Sequence, residues 1–128
     1  MMWAYNQDEQ PPAPFIEIQL RHPEEPTRVA RLSAKIDTGA DISALPAATI
    51  AQLGLPVTSK LMVAGYDGVP TAITTYGVIL VVEQIRFKIQ EIIAISEPHA
   101  LLGRDVLNYF YLQLNGPDLN LMISAKPF

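Results

Sequence analysis

The chain has 128 residues, 49% of them hydrophobic and only 17% charged, enough apolar material for one packed core and too little charge for disorder. A net charge of -4 with no stripe of Lys and Arg argues against a nucleic-acid partner. The absence of cysteine excludes disulfides, thiolate nucleophiles, iron–sulfur clusters and Cys-type zinc sites.

Residues 1–14 end in Pro11-Pro12-Ala13-Pro14 and read as a flexible, Pro-rich arm, with the folded domain spanning residues 15–128. The arm has no basic stretch leading into an apolar one, so no export signal is expected. Ile16, Ile18 and Leu20 alternate with Glu17 and Gln19, the period of a strand with one buried face. After a turn at residues 22–26, Ala30, Leu32, Ala34 and Ile36 alternate with Arg31, Ser33 and Lys35 in a second strand that ends at Asp37. Residues 46–53 form the best short helix, opened by Pro46 and stopped by Gly54.

Residues 61–64, the tip Gly65-Tyr66-Asp67-Gly68 and residues 69–76 predict a long hairpin. Further strands are expected at residues 78–82 and 85–95, the second with Ile85, Phe87 and Ile89 on one face and Arg86, Lys88 and Gln90 on the other. The apolar run at residues 78–82 is far shorter than the roughly 20 residues of a membrane-spanning helix. A cytoplasmic protein without a membrane partner is therefore expected. Leu101-Leu102-Gly103 precedes a helical turn or two over residues 104–109, and a hairpin about Asn115-Gly116-Pro117-Asp118 closes the chain. These elements describe an all-β, mostly antiparallel domain with short helices.

The sharpest chemical feature is Ile36-Asp37-Thr38-Gly39-Ala40-Asp41, a carboxylate delivered by an apolar strand into a turn where glycine allows positive φ and close backbone approach. Alone, Asp-Thr-Gly reads equally well as a plain β-turn in which Asp37 caps backbone N–H groups. His22 and His99 stand beside prolines in loops without a partner motif and read as surface histidines. Asp37 and Asp41 make a poor metal site, because no further ligand lies near them in sequence. No serine-hydrolase elbow, phosphate-binding Gly loop or H-E-x-x-H motif occurs.

The order of these pieces, an Asp-Thr-Gly-Ala loop, a mid-chain hairpin with a Gly-containing tip, and Leu101-Leu102-Gly103-Arg104-Asp105-Val106-Leu107, resembles the retropepsin-like aspartic proteases over residues 15–124. The resemblance implies an acid-protease barrel with a flap hairpin and a short C-terminal helix. It also implies an aspartic endopeptidase, acting on peptide or protein substrates without metal or organic cofactor. Such enzymes work with two carboxylates sharing a proton. One triplet per chain then implies a homodimer, with a water activated between two copies of Asp37.

By the same resemblance Thr38 bonds across the dimer beneath the two carboxylates, and Gly39 offers backbone to substrate. Ala40 and Asp41 meet substrate as well, and Arg104 supports the loop through Asp41. Many cellular members carry Ser where Ala40 stands, so the hydroxyl that can hydrogen-bond the catalytic carboxylate in them is missing here. Gly65, Tyr66, Asp67 and Gly68 would form the flap tip, and Ile42, Val63, Ile73 and Leu101 the apolar walls of a cleft that prefers hydrophobic residues beside the scissile bond. Family members commonly pair their terminal strands between subunits, whereas the hairpin ending the chain could also pack internally. The alternative is a catalytically silent module of the same fold that binds peptides or only dimerises.

Overall fold

A computed structural model describes residues 1–64 and 67–128. The order is β1 (Met2–Ala4), β2 (Phe15–Arg21), β3 (Val29–Ile36), β4 (Ala44–Pro46), α1 (Ala47–Leu53), β5 (Val57–Ala64), β6 (Pro70–Val82), β7 (Ile85–Ile95), β8 (Ala100–Leu102), α2 (Arg104–Leu107), β9 (Tyr111–Asn115) and β10 (Asn120–Ser124). The larger sheet runs β2-β3-β8-β4-β7-β6-β5, and β2 also pairs with β6, closing six strands into a barrel with β5 outside the ring. Among the described residues no helix is long and apolar enough to cross a membrane.

Alternation builds the barrel. The inward residues of β2, Ile16, Ile18 and Leu20, are at most 2% exposed and meet Val78, Leu80 and Val82 of β6 in one core. At the closing seam Leu20 lies opposite Leu80, both sealed from water. Each such side chain contributes about 1.5–3 kcal/mol when buried, far more than one further ladder hydrogen bond, so the closure rests on these aliphatics.

Four sequence-based expectations change. Residues 2–4 of the supposed flexible arm form β1, paired antiparallel with β10 in a sheet ordered β1-β10-β9. The indole Nε1 of Trp3 donates to Glu83 at 2.8 Å and Ala13 is 7% exposed, so a hydrogen bond at one end and burial at the other override the disruptive prolines between them. The C-terminal hairpin accordingly pairs within the chain. The strand expected at residues 78–82 is continuous with the hairpin arm, as one β6 from Pro70 to Val82.

His22 is buried rather than superficial: its Nδ1 accepts from the backbone N–H groups of Glu24 and Glu25, and its Nε2 donates to the Gly54 carbonyl at 3.1 Å. It ties the β2–β3 turn to the end of α1, where Gly54 adopts the left-handed cap at φ 64. The fourth change is in β7. Val78 pairs with Gln90 but Leu80 with Phe87, so two residues of β7, Lys88 and Ile89, stand against the single Ile79 of β6. This is a β-bulge, with Ile89 at φ 53 and 61% exposed while Gln90 turns partly inward.

Candidate active site

Asp37 emerges directly from β3, whose last inward residues Ala34 and Ile36 are buried. Parallel pairing with β8 sets Ile36 beside Leu102, and the Asp37 N–H donates to the Leu102 carbonyl at 2.9 Å. Beyond it the chain turns: the Gly39 N–H donates to Asp37 Oδ1 at 3.1 Å and the Ala40 N–H to the Asp37 carbonyl at 3.2 Å. The carboxylate is half-buried, with one oxygen held by the turn.

Three ties fasten this loop to α2. The Arg104 N–H donates to the Ala40 carbonyl at 2.9 Å. The Arg104 guanidinium donates to the Thr38 carbonyl at 2.6 Å and forms an ion pair with Asp41. Those two side chains are 45% and 82% exposed, so the pair contributes at most about 1 kcal/mol and chiefly sets direction. The third tie is buried. Ser43, only 2% exposed, donates its hydroxyl to Asp105 Oδ1 at 2.7 Å and its N–H to Asp105 Oδ2 at 3.0 Å, while its Oγ accepts from the Gly103 N–H at 2.9 Å. Gln90, turned inward by the bulge, donates to the same Oδ2 at 3.0 Å.

The glycine this packing demands is Gly103, not Gly39. A Cβ on Gly103 would stand 2.8 Å from the Ala40 carbonyl oxygen, an impossible contact, whereas Gly39 has no positive φ and space for an ordinary contact. No sequence motif marks Ser43, Asp105 or Gln90 as residues of the site. Asp105 sits in the Gly103-Arg104-Asp105 run, but nothing local marks Ser43 as buried, and simple alternation places Gln90 on the face opposite to the one it occupies.

Asp37, Thr38, Gly39, Ala40, Asp41 and Arg104 thus share one loop and the start of one helix. The hairpin is separate. Gly65 and Tyr66 lie outside the described residues. Asp67 and Gly68 are exposed, with Asp67 Oδ1 accepting from the Val69 N–H at 3.0 Å and Gly68 at φ 76. Among the described residues, no hydrogen bond joins the hairpin tip to the Asp37 loop. Asp37 also borders an open hollow of about 600 Å³; of the four expected apolar wall residues only Leu101 lines it. No group of three or more metal-ligating side chains occurs among the described residues.

A closed six-stranded barrel with a carboxylate-bearing loop braced against a short helix defines a fold class shared with known hydrolases. EIAV protease in complex with an inhibitor is 22% identical, with a TM-score of 0.55, over 83% of this chain and 92% of that one. A retropepsin-like aspartic protease from Rickettsia conorii is 21% identical, with a TM-score of 0.58, over 96% of this chain and 89% of that one. The chain therefore has the fold of the retropepsin-like aspartic proteases. No protein-family model matches it, and neither does any curated protein.

Proposed function

We propose that the protein is an aspartic endopeptidase whose Asp37 activates water together with Asp37 of a second copy. The observation that carries the reading is the placement of Asp37: half-buried, at the end of β3, in a braced Asp-Thr-Gly-Ala loop on a retropepsin fold. One carboxylate cannot be both base and acid in a single step. The other carboxylates of the framework are engaged, Asp41 with Arg104 and Asp105 with Ser43 and Gln90. A symmetric dimer supplies the missing group.

The ionised member of the pair takes a proton from water as its oxygen attacks the peptide carbonyl carbon, and the protonated member donates to the carbonyl oxygen. Collapse of the tetrahedral species breaks the C–N bond, with a proton delivered to the leaving amine. Thr38 braces the pair across the dimer. The backbone at Gly39, Ala40 and Asp41 lies along an extended substrate, and the hairpin of β5 and β6 covers it as a flap.

The test is cleavage of a diverse peptide library across about pH 4–7.5 by wild type and by Asp37→Asn, with cut sites read by mass spectrometry and dimerisation by sedimentation. Cleavage by a dimer that falls at least about a thousandfold in Asp37→Asn is the expected result. A folded dimer that cuts nothing in either form overturns the reading in favour of a silent peptide-binding module.

A further inference from the structure

We infer that the hollow beside Asp37 selects a cationic side chain, lysine or arginine, in the peptide residue next to the scissile bond. This deepens the endopeptidase reading and rests on it for where the scissile bond lies. The hollow is the part of that cleft bordered by Asp37 itself, and at about 600 Å³ it has the capacity of a pocket for a long side chain and its water.

Its lining is acidic. Asp8, Glu9 and Glu97 join Asp37 around the space, against one ammonium, that of Lys35. Lys35 is already engaged, 3.8 Å from Glu9. Among the described residues neither Asp8 nor Glu97 has a cation within salt-bridge distance, and both are exposed. An apolar side chain entering this space would strip water from unpaired carboxylates, a cost that contact with Leu101, Pro98 and the His99 ring offsets only in part. A lysine or arginine instead lays its methylene stem along Leu101 and sets its charge among Asp8 and Glu97. The carboxylates are water-accessible, so the attraction is modest and screened by salt. The docking of residues 2–4 through β1 holds the segment bearing Asp8 and Glu9 near the loop. This preference departs from the hydrophobic one that the family resemblance implies.

The experiment uses peptides identical except for one central residue, lysine, norleucine or glutamate. Binding is ranked on the Asp37→Asn protein, and cut positions are read with wild type. Lysine should exceed its uncharged isostere norleucine about tenfold in binding. That margin should shrink in 1 M salt and vanish in Asp37→Asn carrying Asp8→Asn and Glu97→Gln, two exposed substitutions that leave the thermal midpoint unchanged. Norleucine binding as well as lysine, or a lysine margin that survives the paired substitutions, overturns the inference. Wild type that cuts nothing while the charge-dependent margin persists would instead defeat the endopeptidase reading and leave cation selection by the hollow standing.

Discussion

The loop framework around Asp37 and the hairpin of β5 and β6 are built in opposite ways. In the framework, Asp105 accepts three hydrogen bonds, and α2 begins so close to the loop that only glycine fits at position 103. In the hairpin, residues 70–74 of β6 pair with β5 alone, and Met62, Val63 and Val69 are 67%, 41% and 58% exposed. A two-stranded ribbon of this kind is only marginally stable in water. The difference teaches that precision is concentrated under the carboxylate and compliance in the ribbon, so damage to the first should appear as lost stability and damage to the second as altered turnover.

The largest expected effect is from Gly103→Ala. Its Cβ would collide with the Ala40 carbonyl, and urea unfolding should show a loss of about 2–4 kcal/mol. Asp105→Ala comes next, since it strands the Ser43 hydroxyl and N–H and the Gln90 amide; about 2–3 kcal/mol should be lost, and Gln90→Ala should lose less. A double-mutant cycle between Asp41→Ala and Arg104→Ala should return a coupling below about 1 kcal/mol, because both side chains are largely in water. Smallest in stability is Asp67→Ala, which removes only an exposed turn bond and should change unfolding by less than about 0.5 kcal/mol while altering kcat/KM several-fold. Equal stability losses from Asp67→Ala and Asp105→Ala would break the contrast between the two regions.

Much of this was legible in the sequence, for definite reasons. The alternation of Ile16, Ile18 and Leu20 marks a half-buried strand, and Pro46 with Gly54 brackets α1 as its dihedral preferences require. The loop of residues 37–41 and its partner Arg104 are legible only through the resemblance that the order of the Asp-Thr-Gly-Ala loop, the hairpin and the Leu-Leu-Gly-Arg-Asp run carries. What escaped depends on contacts remote in sequence. β1 is three residues long and is held by β10, more than a hundred positions away. His22 looks superficial beside Pro23, yet Gly54 and two backbone amides enclose its ring. Ser43 is an ordinary polar residue until Asp105 is brought beneath it from 62 positions on.

The bulge at Lys88 and Ile89 makes β7 a strand whose residue count matters more than its composition. Because side chains alternate, the extra residue is what lets Phe87 and Gln90, three positions apart, both turn inward; removing Ile89 would set Lys88 alone against Ile79 and leave the pairs Leu80–Phe87 and Val78–Gln90 in register. Loss of Glu91 from the regular part of the strand would instead turn either Gln90 away from Asp105 or Ile92, now 1% exposed, out of the core. The bulge can thus lose its extra residue and keep the register, whereas a single-codon deletion just beyond it would uncouple the barrel wall from the loop that carries Asp37.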